Sequence, residues 1–237
     1  MGSRTGYADD RSTRSAPPPK GILRDYAETI LVCVIFVIFS RAFVFQQSKI
    51  PSGSMMDTLL IGDYIMVNRF VYSPAPTALE RAVLPVRDIR RGDVVVFKYP
   101  PEPEVDYIKR VAGLPGETVE LRDGYLYVDG TRIDEPYVQP HYRDDAPEAD
   151  RNFAPTVVPE DQYFMLGDHR NSSRDSRAWG FVHRDLVKGR ALLIWYSFDE
   201  QPNSHRQSAS KQVRGWADKI ANFFTKSRFS RCFTLIR

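Results

Sequence analysis

The feature that most constrains this chain is an apolar run that extends from Thr29 to Phe45 and is interrupted only by Ser40 and Arg41. Its 17 residues are at the lower end of the length that a helix needs to cross the hydrocarbon core of a bilayer. Arg41 lies about one turn from the end of the run, where a long side chain can reach the headgroups. The run therefore predicts one N-terminal transmembrane helix over residues 29–46.

Two other interpretations of the apolar run stay open. A buried core helix is one, although such a helix rarely lacks polar residues on every side. A cleavable signal peptide is the other, because Ser40 and Ala42 are small residues at the spacing that cleavage requires. The polar arm before the run is long for a signal peptide, so a retained anchor is favoured.

Charged residues around the run predict its orientation. Residues 1–28 form a polar arm rich in Arg, Ser and Pro, and only Lys49 follows the run closely. Cytoplasmic flanks of membrane helices carry an excess of Lys and Arg. The arm is therefore expected in the cytoplasm and residues 47–200 on the outer side. The basic residues of the arm are Arg4, Arg11, Arg14, Lys20 and Arg24.

Composition excludes several functions. The net charge of +3 over 237 residues does not argue for nucleic acid. The two cysteines, Cys33 and Cys232, have no metal-ligand neighbours. The sequence also has no phosphate-cradling glycine loop. We therefore expect no nucleic acid, no metal and no cofactor.

Short alternating segments separated by Gly and Pro follow the anchor and predict a mainly β domain over residues 47–200. The predicted strands are Tyr64–Val67, Asp93–Phe97, Val119–Leu121, Tyr125–Val128, Tyr163–Leu166 and Ala191–Tyr196.

Residues 201–237 form a basic tail with one amphipathic stretch. Its apolar residues recur at roughly helical spacing. Such a stretch is typical of a helix on a membrane surface and equally of a segment that packs on the β domain. The apolar residues are Val213, Trp216, Ile220, Phe223 and Phe224.

A serine on a turn follows the anchor closely. Gly53 permits a tight backbone that exposes the side chain of Ser54. Ser52 adds a second hydroxyl suited to stabilising an oxyanion. By itself Ser-Gly-Ser is a common loop, and it does not match the Gly-x-Ser-x-Gly nucleophile elbow.

Lys109 lies in an alternating strand, on the same face as Tyr107 and Val111. Burial on that face would lower its pKa and make the amine a base. A surface lysine is the commoner case for any single strand position.

The polar stretch over residues 167–182 carries hydroxyls and opposite charges. One interpretation is a supporting loop, in which Ser173 hydrogen-bonds the lysine amine and Asp175 pairs with Arg177. The alternative is a polar surface loop.

His169 raises a rival mechanism. Together with Ser54 and either Asp168 or Asp175 it would complete a Ser–His–Asp triad. The sequence by itself leaves the lysine and histidine mechanisms open.

These stretches together resemble the type I signal peptidases over roughly residues 45–197. The joint match, in the family's order, is far more specific than any one motif. The matching segments are Ile50–Met56, Gly62–Tyr64, Arg91–Phe97, Tyr107–Glu117 and Gly167–Phe181.

The resemblance implies that Ser54 is the nucleophile and Lys109 the general base of a serine–lysine dyad. It also implies that Ser52 contributes to the oxyanion hole with the N–H of Ser54. Ser173 matches the serine that orients the lysine. The matching support and pocket residues are Asp175 and Arg177 for the ion pair, and Ile50, Pro51, Met55, Leu59, Tyr107 and Ile108 for the pockets that accept small side chains.

The resemblance further implies a complex β fold of the signal peptidase type, with a small β subdomain inserted over about residues 113–160. The implied activity is removal of signal peptides from exported pre-proteins, cut after a small residue. The expected partners are those pre-proteins and the lipid bilayer. The expected location is the bacterial inner (plasma) membrane, crossed once, with the N-terminus cytoplasmic and the catalytic domain on the periplasmic side.

Two alternatives remain. One is a specialised serine–lysine maturation peptidase of a conjugation or pilus system. The other is a non-catalytic, membrane-anchored, β-rich scaffold, whose sign would be a broken dyad. The chain departs from the family at Asp57, where proline is usual, and at His169, where asparagine is usual.

Overall fold

The computed structural model describes residues 22–39, 45–72, 86–200 and 222–237. The chain divides into two compact units, Met1–Ser40 and Arg41–Arg237. Most of the predicted cytoplasmic arm, residues 1–21, lies outside the described residues, and so do residues 201–221 of the predicted tail.

The first unit contains a helix from Ile22 to Phe39. The side chains described in it, at residues 24–35, are all exposed, with Ile30 at 62% and Val32 at 65%. Among the helices that the structure describes, none is long and apolar enough to cross a membrane. The predicted transmembrane segment, residues 29–46, includes residues 40–44, which lie outside the described residues, so the segment stays a prediction.

The second unit is built from short strands, which confirms the prediction of a mainly β fold. Five of the six predicted strands lie within strands of the structure, and the sixth, Asp93–Phe97, begins one residue before its strand. The strands are β1 Phe45–Lys49, β2 Asp63–Asn68, β3 Val94–Tyr99, β4 Glu102–Gly113, β5 Thr118–Arg122, β6 Tyr125–Val128, β7 Thr131–Arg132, β8 Phe153–Val157, β9 Gln162–Leu166, β10 Val182–His183, β11 Val187–Ser197 and β12 Thr234–Leu235.

Within the described residues these strands form two antiparallel sheets. The larger has eight strands in the order β1-β2-β11-β3-β4-β9-β10, with β12 paired to β11. The smaller has the order β7-β6-β5-β8 and lies within residues 118–157. Short helices Pro140–Asp144 and Glu148–Arg151 connect β7 to β8.

Strand β3 explains why the larger sheet is buried on both faces. Val94 and Val96 point to one apolar cluster, whereas Val95 and Phe97 point to another. Alternate residues of a strand face opposite sides of the sheet. A continuous apolar run is therefore what this central strand requires.

Residues 50–63, called the nucleophile segment below because they carry Ser54, form a closed loop beside the sheet. Its ends are joined where Ile50 N donates to Asp63 O at 2.9 Å and Gly62 N donates to Ile50 O at 3.0 Å. Gly62 has φ of +88°, and a Cβ there would lie 2.0 Å from the carbonyl oxygen of Phe198. Only glycine fits this position, so the sequence fixes where the segment rejoins the sheet.

Residues 222–237, called the C-terminal segment below, pack on the β domain. Strand β12 pairs with β11, and Ile236 is 5% exposed in the same apolar cluster as Ile50. Arg231 Nη2 lies 2.7 Å from a carboxylate oxygen of the fully buried Asp63. Most of the predicted amphipathic stretch, including Val213, Trp216 and Ile220, lies outside the described residues, so its arrangement stays open.

Candidate active site

The hydroxyl of Ser54 and the amine of Lys109 meet in the structure. Lys109 Nζ lies 2.6 Å from Ser54 Oγ and 3.0 Å from the carbonyl oxygen of Ile108. The two residues are 55 positions apart in sequence. Strand β4 places the lysine, because Lys109 pairs with Val95 of the buried strand β3. A hydroxyl and an amine at this distance can transfer a proton directly.

The amine of Lys109 is poorly solvated, since the residue is only 4% exposed. Burial lowers the pKa of Lys109 to about 8, because desolvation penalises the charged ammonium. The negative charges of Asp175 and Asp168 raise this pKa in part, and the positive charge of Arg177 lowers it. About a tenth of the amine is therefore neutral at pH 7, far more than for an ordinary lysine, and the neutral amine is the form that acts as a general base.

The dyad opens onto a cleft of about 470 Å³. Ser52 is exposed at this cleft, close to Ser54 in sequence. Ser52, Ser54 and Lys109 thus line the same cleft. The residues that line the cleft are Pro51, Ser52, Gly53, Ser54, Val105, Asp106, Tyr107, Ile108, Lys109, Ser172 and Arg174.

A smaller cleft of about 150 Å³ is lined in part by Ile50, Pro51, Tyr107 and Ile108. Four of the six predicted pocket residues thus line a cleft. The other two, Met55 and Leu59, line neither: both are fully buried in an apolar cluster with Ile50. Their predicted contact with substrate stays a prediction.

Asp175 and Arg177 form the predicted ion pair. Arg177 Nε and Nη2 donate to the two carboxylate oxygens of Asp175, each at 2.8 Å. The fully buried carboxylate also accepts from Gly167 N at 3.0 Å. A paired geometry of this kind is the strong form of an ion pair. It ties the end of β9 to the turn that carries Ser173.

Ser173 does not form the predicted hydrogen bond to the amine of Lys109. Its buried Oγ has no hydrogen-bond partner among the described residues. The hydroxyl lies over Gly167, where a Cβ would approach Ser173 Oγ to 2.0 Å. The lysine amine is instead held by Ser54 Oγ and the carbonyl oxygen of Ile108.

The rival Ser–His–Asp triad is not assembled among the described residues. The ring Nδ1 of His169 bonds the carbonyl oxygen of Gly53 at 2.9 Å and not the hydroxyl of Ser54. Asp168 accepts from Arg110 and Thr58, and Asp175 accepts from Arg177. Neither carboxylate is therefore available to orient the imidazole.

The sequence pattern did not reveal a second buried ion pair beside the dyad. Arg110, which follows Lys109, donates to Asp168 at 2.9 and 2.7 Å, and both residues are at most 2% exposed. Thr58 Oγ1 donates to the same carboxylate at 2.5 Å. The guanidinium carbon of Arg110 lies 3.7 Å from the centroid of the Tyr137 ring. The sequence offered one signal for this network: Arg110 is a charged residue within a strand whose alternate residues face opposite sides.

No cluster of three or more His, Cys, Asp or Glu side chains that could hold a metal ion occurs among the described residues.

Comparison with known proteins decides the family. A family model described as "Signal peptidase, peptidase S26" matches residues 23–196. The chain belongs to the signal peptidase family. It is accordingly a serine endopeptidase.

Several curated relatives of the chain are named as signal peptidases I. Signal peptidase I of Pseudomonas aeruginosa is 33% identical over an alignment 222 residues long, and this alignment covers 80% of this chain and 78% of the relative. Probable signal peptidase I-2 of Synechocystis is 35% identical and covers 79% of each chain. Signal peptidase I P of Bacillus subtilis subsp. natto is 33% identical, covering 76% of this chain and 92% of the relative.

Proposed function

We propose that this chain removes N-terminal signal peptides from exported pre-proteins, with Ser54 as the nucleophile and Lys109 as the general base. The observation that carries the proposal is the distance of 2.6 Å between Ser54 Oγ and the buried Lys109 Nζ. A serine hydroxyl is a weak nucleophile unless an adjacent base takes its proton. A lysine whose pKa lies at about 8 can do so.

In the proposed reaction, neutral Lys109 accepts the proton of Ser54 Oγ while the oxygen attacks the substrate carbonyl. The Ser52 hydroxyl and the N–H of Ser54 stabilise the oxyanion. The Lys109 ammonium then protonates the leaving amine. Lys109 next takes a proton from a water molecule as the water oxygen attacks the acyl carbonyl, and the ammonium returns that proton to Ser54 Oγ when the acyl–oxygen bond breaks.

The proposed substrate is an extended peptide with a small side chain before the cut. The cleft at Ser54 and the smaller cleft of about 150 Å³ share the lining residues Pro51, Tyr107 and Ile108, and Ile50 lines the smaller one. Main-chain pairing with a strand edge would supply affinity, and shallow pockets would supply specificity. Asp175 and Arg177 hold the turn that carries Ser173, and Ser173 is the proposed residue that orients the lysine.

We place the protein in the bacterial inner (plasma) membrane, where one helix over residues 29–46 anchors it. The exposed apolar side chains of the helix Ile22–Phe39 favour an apolar environment. The basic arm, residues 1–28, would stay in the cytoplasm. The catalytic domain, residues 47–200 with an inserted subdomain over about residues 113–160, and the tail, residues 201–237, would lie on the periplasmic side.

The test is cleavage of a purified pre-protein by membranes that contain the full chain and by the detergent extract of those membranes. We expect Ser54-dependent cleavage in the membrane pellet, and detergent should transfer that activity into the extract. The product should have a new N-terminus that directly follows a small residue of the pre-protein. Ser54→Ala and Lys109→Ala should each lower the rate by at least about 10³-fold. Full activity of either variant would refute the proposed mechanism, and release of only a pilus or conjugation substrate would favour a specialised maturation peptidase.

A further inference from the structure

His169 holds the backbone on both sides of Ser54. Its ring Nδ1 lies 2.9 Å from the carbonyl oxygen of Gly53. Because a carbonyl oxygen can only accept, Nδ1 must carry the hydrogen and donate it. The backbone N–H of His169 donates to the carbonyl oxygen of Ser54 at 3.2 Å.

The hydrogen bond from the ring fixes a peptide unit that matters for catalysis. The carbonyl of Gly53 and the N–H of Ser54 belong to one planar unit and point in opposite directions. Met56 N also donates to this carbonyl, at 3.1 Å. Two donors therefore set the plane of the peptide, and they set the direction of the Ser54 N–H with it. Among the described residues, that N–H donates no hydrogen bond of its own.

The imidazole ring is itself held in place. Its centroid lies 4.0 Å from that of the Tyr142 ring, and Tyr142 is 8% exposed. The Tyr142 hydroxyl donates to Asp57 Oδ1 at 3.4 Å. Asp57, within the nucleophile segment, and His169, outside it, are the two positions where the chain departs from the family, and both contact Tyr142.

We propose that His169 is a positioning residue that orients and polarises the Gly53–Ser54 peptide, so that the Ser54 N–H is aimed at the oxyanion. The proposal rests on the proposed function, in which that N–H stabilises the tetrahedral intermediate. Donation to a carbonyl oxygen also makes the N–H of the same amide a stronger donor. The imidazole acts through its Nδ1–H alone and takes no proton from Ser54.

The experiment compares His169→Phe, His169→Leu and His169→Asn in the full chain, with kcat and KM measured on one pre-protein. Phe retains a ring against Tyr142 but has no donor. Leu and Asn share one shape, and only Asn can donate from the position of Nδ1. Removing an oxyanion donor lowers kcat by about 10²–10³-fold, and misdirecting one should lower it by about 10–100-fold. We expect that loss in the Phe and Leu variants with KM nearly unchanged, and recovery to within about 3-fold in the Asn variant.

His183→Phe is the matched control, because the ring Nδ1 of His183 also bonds a backbone group, Asp185 N at 3.3 Å, on an exposed turn. Its kcat should equal that of the wild type. The pH dependence separates positioning from base catalysis: the Leu variant should show a lower plateau with an unchanged apparent pKa.

Equal kcat in the Asn and Leu variants would overturn the role of His169, whether both are active or both inactive. The comparison of kcat between the Asn and Leu variants tests the role of His169 even if the Phe variant does not fold. The proposed function fails separately, if the wild type does not cleave the pre-protein or if Ser54→Ala cleaves it equally well.

Discussion

The side chain of Lys109 ends where a charged ammonium is poorly solvated, and its pKa falls to about 8 for that reason. The neighbouring carboxylates of Asp175 and Asp168 oppose the fall but do not cancel it. Both carboxylates are already paired, with Arg177 and Arg110 respectively. The two arginines thus neutralise most of the negative charge of these carboxylates. The pKa of Lys109 therefore stays low enough for its amine to act as a base.

Burial of Lys109 should destabilise the fold, and a substitution can reveal by how much. A pKa of about 8 in the folded state against 10.5 for an ordinary lysine corresponds to about 3 kcal/mol. This penalty is complete below about pH 8, where both states are protonated. It disappears as the pH rises from about 8 to 10.5, since only the unfolded state keeps the proton.

Lys109→Met should therefore raise the free energy of unfolding at about pH 7 by about 1–3 kcal/mol while it abolishes cleavage. Urea unfolding of both proteins at several pH values measures the effect. The advantage of the variant should shrink by about 2–3 kcal/mol between about pH 7 and pH 10. A difference that does not vary with pH would mean that the lysine is not desolvated as the structure indicates.

Among single residues, the sequence identified Ser54, Lys109 and the Asp175–Arg177 pair as neighbours, because the resemblance assigned them by position. It did not reveal that Met55 and Leu59 are fully buried, since an apolar side chain has the same pattern whether it lines a pocket or fills a core. It also missed the contact of His169 with Gly53. That contact depends on how two turns meet, and no local pattern encodes such a meeting.

At the scale of elements, the C-terminal segment holds the far half of the nucleophile segment. Arg231 Nη2 binds the Asp63 carboxylate at 2.7 Å and the carbonyl oxygen of Thr58 at 3.0 Å. Arg228 Nη2 binds the carbonyl oxygens of Ile61 and Phe198. Asp63 and Arg231 are 168 residues apart. The sequence showed only a basic tail. An ion pair between residues so far apart forms only when the sheet has assembled, so no local pattern predicts it.

We expect Arg231→Ala to lower kcat by about 10-fold, because small displacements of a nucleophile are costly in rate. It should also lower the free energy of unfolding by about 2–4 kcal/mol, since the buried Asp63 loses its cation. Thermal unfolding and steady-state kinetics on one preparation measure both.

Arg87→Ala is the matched control for Arg231. The Arg87 side chain is 22% exposed and binds the buried Asp93 at 2.6 Å, whereas that of Arg231 is 24% exposed and binds Asp63 at 2.7 Å. Asp93 belongs to the strand β3 region, where its other partners include Tyr72 and Arg90. A smaller loss of stability with kcat unchanged is expected, because Arg190 Nε also lies 3.1 Å from Asp93. Equal effects of the two variants on kcat would argue that the C-terminal segment contributes stability alone.

For the whole molecule, distant parts of the chain converge on one site. The nucleophile comes from a loop after β1, the base from β4, and the supporting ion pair from the turn after β9. The alternation of apolar residues predicted most of the strands, since it follows directly from which faces are buried. The order of strands in the larger sheet, β1-β2-β11-β3-β4-β9-β10, did not follow from the sequence, because strand pairing depends on non-local contacts.

The pH dependence of the acylation rate in a single turnover tests the central claim most directly, namely that Ser54 reacts because Lys109 is neutral. The neutral fraction of the amine increases with pH, so the rate should rise to a plateau with an apparent pKa near 8. Lys109→Ala should abolish acylation across the whole range. A Lys109→Ala variant that keeps both the rate and the midpoint of the wild type would contradict the account.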